Sequence, residues 1–198
     1  MGIFFDRERL SKPRPVGGEL HSWRVCGMGS VVFVFGGTRS GKSAFALTQA
    51  SAMQGKKIYV ATAQALDQEM EERIARHRHE RGSNWETLEE PLHLGRAVRG
   101  LAQTHDVAII DCLTLWLSNI LGAGLSVEET QEDFVESLRT LTGSTRIFVV
   151  SNEVGMGIVP ENEMARQFRD MAGRLNQRVA GVADECFLVA AGIPLKIK

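Results

Sequence analysis

Val31-Val32-Phe33-Val34-Phe35-Gly36-Gly37-Thr38-Arg39-Ser40-Gly41-Lys42-Ser43-Ala44-Phe45-Ala46-Leu47 is the stretch that decides the fold. Val31 to Phe35 form an apolar run that reads as a buried parallel strand. Gly36 to Ser43 match G-x-x-x-x-G-K-[ST] at every fixed position, and Ala44 to Leu47 open a helical pattern. Strand, glycine-rich loop and helix N-terminus together are the setting in which this motif holds phosphate. Glycines let backbone N–H groups turn inward around phosphate oxygens, and the helix N-terminus adds positive potential. Lys42 supplies a point charge for the β- and γ-phosphates, and the Ser43 hydroxyl is placed to ligate Mg²⁺. Gly36, Gly37, Thr38, Arg39, Ser40, Gly41, Lys42 and Ser43 are thus candidate nucleotide-binding residues. The plainer alternative, a Gly/Ser-rich turn with a chance lysine, is disfavoured by the flanking strand and helix.

Outward from the loop, strands and helices alternate. The first helix is expected to run to about Gln54, with Gly55 as its stop. Ile58 to Ala61 reads as a second strand. Asp67 reads as the N-cap of a charged helix over 68–81, with acids early and bases late, the order that suits the helix dipole. Trp85 to Leu88 reads as a short strand, and Pro91 opens a helix to about Gln103. Val107 to Ile110 is a third apolar strand, closed by Asp111. Leu113 to Leu121 reads as an apolar helix. Ser126-Val127-Glu128-Glu129 is a capping box that starts a helix to about Leu141. Ile147 to Val150 forms a further strand, followed by Ser151-Asn152-Glu153 and a glycine-containing loop over 154–160. A long helix over about 162–180 and a strand over 185–189 follow, with a hairpin around Gly192. This alternation predicts an α/β fold, a P-loop NTPase with a mostly parallel central sheet and helices on both faces.

The 198 residues suffice for one α/β domain. Residues 31–198 are expected to form a single P-loop nucleotide-binding domain. Residues 1–30, with the breaker-rich Lys12-Pro13-Arg14-Pro15-Val16-Gly17-Gly18, show no hydrophobic period and no apolar core of a secretory signal. They are expected to be a mobile extension, and Met28 is a candidate translation start. A formal net charge of −1 gives no global basic field for nucleic acid. No apolar run approaches the length of a membrane span. Cys26, Cys112 and Cys186 lack zinc or disulfide spacing. Cys112 and Cys186 are expected to be buried thiols, and a reducing cytoplasm fits them.

Ligands of open α/β sheets bind beyond the carboxyl ends of the strands. Besides the phosphate loop, three polar clusters fall there. Ala61-Thr62-Ala63-Gln64 follows the second strand. Asp111 ends the third, where an acid is the expected direct or indirect Mg²⁺ partner. It can also serve as a plain N-cap of the next helix. Asn152-Glu153 either orients a substrate hydroxyl or begins a loop. His77 shares a helical stripe with Met70, Ile74 and Arg81. On pattern alone the plainer reading is a half-exposed histidine of an amphipathic helix. The functional reading is a nucleophile, since a neutral imidazole can attack phosphorus. Arg73, Arg76, Arg78 and Arg81 would then stabilise the phosphates.

Over almost all of residues 31–198 the chain resembles the bifunctional adenosylcobinamide kinase / adenosylcobinamide-phosphate guanylyltransferase family of cobalamin biosynthesis. The phosphate loop, Tyr59 to Gln64, Asp67 to Met70 and Arg73 to His77 match. The most distinctive match is Asn152-Glu153-Val154-Gly155-Met156-Gly157-Ile158-Val159-Pro160-Glu161-Asn162, which continues through Ala165 to Asp170 and Gly173 to Gln177. The resemblance implies a recombinase-like core and a two-step catalyst. The aminopropanol hydroxyl of adenosylcobinamide is phosphorylated by ATP or GTP. GMP then passes from GTP to that phosphate through a guanylylated histidine. By motif position His77 is that histidine, which reverses its reading from pattern alone, and Lys42 joins it in catalysis. Ala61, Thr62, Ala63, Arg78, Arg81, Glu89 and Asp111 fall at implied nucleotide-binding positions, and Ser43 and Asp111 at the Mg²⁺ site. Asn152, Glu153, Arg169 and Asn176 are candidates for the substrate pocket by their place in the family stretch. An acid such as Glu89 or Asp111 could accept hydrogen bonds from guanine N1–H and N2–H₂. The implied partners are the corrinoid, nucleoside triphosphates and further copies of the chain, with a trimer among the family's forms. Residues 1–30 depart from the family pattern.

Two enzyme readings and one binding reading compete. A plain small-molecule kinase needs the phosphate loop and Asp111 but not His77. A guanine-nucleotide switch needs an N-K-x-D element, which the chain lacks, and its Asp170-Met171-Ala172-Gly173 lies inside an expected helix. A nucleic-acid motor needs a basic stripe or a stacking platform, and neither is visible.

Overall fold

The structure is a computed structural model that describes residues 29–64 and 84–198. The expected extension up to Met28, with Cys26, lies outside the described residues. So does 65–83, which holds the Asp67-capped helix, His77, Arg78 and Arg81.

Seven strands form one sheet: β1 (Ser30–Gly36), β2 (Lys57–Ala61), β3 (Trp85–Glu89), β4 (Val107–Asp111), β5 (Arg146–Asn152), β6 (Glu185–Ala190) and β7 (Ile193–Lys196). Their order is β3-β2-β4-β5-β1-β6-β7. Pairing is parallel from β3 through β6, and β7 runs antiparallel to β6. The helices among the described residues are α1 (Lys42–Ser51), α2 (Leu94–Leu101), α3 (Leu113–Gly122), α4 (Val127–Arg139) and α5 (Glu163–Val182).

Period-two alternation splits β1 between two cores. Val32 and Val34 join Ala46 and Ala50 of α1, with Ile109 and Phe148. Val31 and Phe33 join Trp116 of α3, Phe134 of α4, and Leu175 and Val179 of α5. Both faces of the central strands are therefore covered. This is why they read as unbroken apolar runs and not as alternating ones. The expected layout, a parallel sheet with helices on both faces, is the observed one. No helix among the described residues is long and apolar enough to cross a membrane.

Two helix boundaries differ from those expected. α1 stops at Ser51, short of Gln54, and Gly55 takes φ 100°, a left-handed turn that favours glycine. α2 begins at Leu94, not at Pro91. Glu90 accepts the N–H groups of Leu92 at 3.0 Å and His93 at 2.8 Å, which holds 91–93 in a turn ahead of the helix. Ser126 caps α4 by accepting from the Glu129 N–H, and Asn162 caps α5 by accepting from the Ala165 N–H. Cys112 and Cys186 are buried free thiols, as expected.

Candidate active site

Parallel strands end together, so one edge of the sheet collects their C-terminal residues. Gly36 pairs with Asn152, Asp111 with Val150, and Ala61 with both Asp111 and Glu89. The phosphate loop, Ala61 to Ala63, Glu89, Asp111 and Asn152-Glu153 thus share this edge. The spread along it is large. With about 4.8 Å between strands, Asp111 stands about 10 Å from the β1 line and Glu89 about 19 Å.

The loop between β1 and α1 is tight. A β-carbon on Gly36 would run into the carbonyl oxygen of Val189 and come within 2.8 Å of Ser40 Oγ. Gly41, at φ 94°, occupies the N-cap of α1 and gives it no side-chain cap. The first N–H groups of α1 therefore keep their capacity for an anion. Ser40 is buried, and its Oγ has no hydrogen-bond partner. A buried hydroxyl without a partner is costly, and a phosphate oxygen would satisfy it. Lys42 is buried too, and its Nζ donates to the Gly37 carbonyl at 3.0 Å. The far hairpin closes the loop from outside. Ala191 and Gly192 turn the chain with φ 50° and 80°, and the Gly192 N–H donates to the Ser40 carbonyl at 2.8 Å.

At the end of β4, the Tyr59 hydroxyl donates to Asp111 Oδ2 at 2.7 Å. Asp111 does not cap α3. Cys112 takes the N-cap position, without a side-chain cap. Thr62 is fully buried. Its hydroxyl donates to the Cys112 carbonyl at 2.8 Å and accepts from the Cys112 N–H at 2.7 Å. Thr62 thus reaches the edge through the backbone of Cys112. Burial pushes the Cys112 thiol up to about 11, and the negative charge of Asp111 adds to the shift. It stays protonated at neutral pH. Asn119 of α3 donates to the carbonyls of Thr62 at 2.7 Å and Pro91 at 3.2 Å, tying together the chain ends beyond β2 and β3.

At the end of β5, the Glu153 N–H donates to the Gly36 carbonyl at 2.9 Å. Glu153 Oε1 accepts the Gly155 N–H at 2.5 Å, which folds the carboxylate back over its own loop. Asn176 of α5 donates to the Asn152 carbonyl at 3.2 Å, while the Asn152 N–H donates to Thr114 Oγ1 at 2.9 Å. The structure brings Asn152, Glu153 and Asn176 together against the phosphate loop. Arg169 lies nearly two turns earlier along α5. Thr114 and Asn119 were not singled out from the sequence, and neither was the pairing of Tyr59 with Asp111 nor the bond from the Gly192 hairpin to the phosphate loop. Two carried a signal: the single tyrosine sits in an apolar strand, and the one asparagine sits in an apolar helix.

Known proteins are similar to this chain in fold and in sequence. An ATPase from the type III secretion system of pathogenic bacteria is similar in fold, with a TM-score of 0.50 at 13% identity over 86% of this chain and 57% of that one. The bifunctional adenosylcobalamin biosynthesis protein CobP of Pseudomonas aeruginosa is 42% identical over 167 residues, 83% of this chain and 95% of the relative. The bifunctional adenosylcobalamin biosynthesis protein CobU of Salmonella typhimurium is 40% identical over 184 residues, 85% of this chain and 99% of the relative. Residues 32–197 match the family described as cobinamide kinase / cobinamide phosphate guanyltransferase. From the phosphate loop to the final hairpin, the chain belongs to that family of bifunctional enzymes.

Proposed function

We propose that the chain phosphorylates the aminopropanol hydroxyl of adenosylcobinamide with ATP or GTP. It then transfers GMP from GTP to that phosphate through a guanylyl-histidine on His77, giving adenosylcobinamide-GDP. The observation that carries this reading is the phosphate loop. It combines an uncapped α1 N-terminus with the unpartnered Ser40 hydroxyl, in a chain of this family.

The backbone N–H groups of the first turn of α1, the Ser40 hydroxyl and Lys42 hold the triphosphate. Ser43 and Asp111 supply the oxygen donors that suit Mg²⁺, a hard cation. When bound, Mg²⁺ would neutralise charge on the phosphoryl oxygens. In the transfer half, an imidazole nitrogen of His77 attacks the α-phosphorus of GTP. A P–N bond forms, the bond to the bridging oxygen breaks, and pyrophosphate leaves. A phosphate oxygen of the corrinoid then attacks the same phosphorus, the P–N bond breaks, and the imidazole is regenerated. Dividing the transfer into two displacements makes each one a matter of positioning and charge. Of the two acids considered for guanine, Glu89 lies two strands farther from the loop than Asp111. We assign Asp111 to the metal and Glu89 to the base.

Labelling with α-³²P-GTP tests the reading. Wild type is expected to take an acid-labile label that His77→Asn does not take. Label retained by the variant would sink the His77 assignment. A folded, GTP-binding wild type that takes no label would leave a plain kinase.

A further inference from the structure

A cavity of about 810 Å³ lies between the C-terminal end of α3 and the N-terminal half of α5. Leu121, Val154, Pro160, Met164 and Phe168 give it apolar walls. Arg169 lines it too, and its Nη1 is buried with no hydrogen-bond partner among the described residues. A cationic N–H taken out of water without an acceptor is costly, so the site favours a ligand that brings one. The loop whose ends, Val154 and Pro160, line the cavity holds out Met156 and Ile158, which are 77% and 96% exposed. Large apolar side chains gathered in the open beside a cavity mark a binding surface. The cavity adjoins the phosphate loop: Val154 follows Glu153, whose N–H is bonded to the Gly36 carbonyl.

We propose that this cavity is the corrinoid site; the inference rests on the function proposed above. A corrinoid is an apolar, methyl-bearing macrocycle ringed with carboxamide arms. The apolar walls receive one edge of the ring, and Arg169 Nη1 donates to a carboxamide oxygen. The volume falls within the range of about 300–1,000 Å³ usual for small-molecule sites. It grips the ring by one edge, and the aminopropanol arm is left to reach along Val154 and Glu153 towards the phosphate loop.

The test uses the full chain with Arg169→Met, Arg169→Lys and Ala165→Phe, the last filling the cavity from α5. Cobinamide phosphorylation is measured at varied corrinoid, and GTP labelling is measured without corrinoid. Arg169→Met and Ala165→Phe are expected to raise KM for cobinamide about tenfold, the equivalent of one charge-assisted hydrogen bond or a lost patch of apolar contact. Arg169→Lys should recover part of that loss, while KM for the nucleotide and GTP labelling stay at wild-type levels. Arg169→Met removes the unpartnered Nη1, and wild-type GTP labelling by each variant checks that it is folded. An active wild type whose variants all keep the cobinamide KM overturns the cavity assignment alone. Variants that keep that KM but change the oligomer mass in sedimentation give the face to a second copy of the chain, and overturn it equally. A wild type inactive in both assays overturns the underlying function instead.

Discussion

Asp111 and Tyr59 meet because of register. Ala61 lies opposite Asp111, so Tyr59, two residues back on the same face, is its diagonal neighbour across β2 and β4. Tyr59→Phe is expected to destabilise the protein by about 1.5–3 kcal/mol, the usual worth of a hydrogen bond to a charged group. Urea unfolding of the two proteins measures it, and equal midpoints would show that water replaces the hydroxyl without loss. The acid at the end of β4 was legible in the sequence, because an acid after four apolar strand residues stands out. The tyrosine facing it was not, since alternation gives the face of a residue but not the strand that lies beside it. Thr62 teaches the same lesson. The resemblance implies a nucleotide-binding position for it, and the structure shows its hydroxyl held by both backbone groups of Cys112, a pairing across strands that pattern does not reveal.

At the scale of elements, the C-terminal hairpin is pinned by charge. Glu185 of β6 binds Lys196 of β7 at 2.6 Å and is also bonded to Arg146 of β5. Lys196 foremost, then Arg146 against the cost of partial burial, holds the Glu185 carboxyl below the ordinary glutamate range. A carboxylate with a lowered folded pKa stabilises the fold above the unfolded value and loses that contribution as pH falls through the folded one. Glu185→Gln should therefore lower the urea midpoint at neutral pH. The gap from wild type should close as pH drops below about 4.3. A gap that persists unchanged into acid would assign the loss to shape and not to charge. The sequence showed the hairpin through Gly192 and the cap of α4 through Ser126, but it marked Asn162, the cap of α5, only as the start of its helix. It missed the late start of α2, because proline at a helix start is common and the competing acceptor, Glu90, acts through a side chain that pattern does not register.

For the molecule as a whole, the order β3-β2-β4-β5-β1-β6-β7 puts residues far apart in sequence onto one edge. Nucleotide binding there should stabilise the whole fold by linkage. At a hundredfold excess over Kd, GTP with Mg²⁺ is expected to add about 2.7 kcal/mol to unfolding. Lys42→Ala should abolish that gain, which thermal unfolding with and without nucleotide will read. A gain that survives in the variant would place the nucleotide elsewhere. The layered architecture was readable because each strand is a short apolar run and each helix has its own signal. The order of strands was not, since it depends on which faces each helix can cover. The contact between the Gly192 N–H and the Ser40 carbonyl has a consequence in time. The ribosome makes the phosphate loop first and its last hydrogen-bond donor 152 residues later, a wait of about 8–30 s at about 5–20 residues per second. Until then a nascent chain carries the motif without its outer brace, so the brace reports that synthesis has reached the C-terminal hairpin.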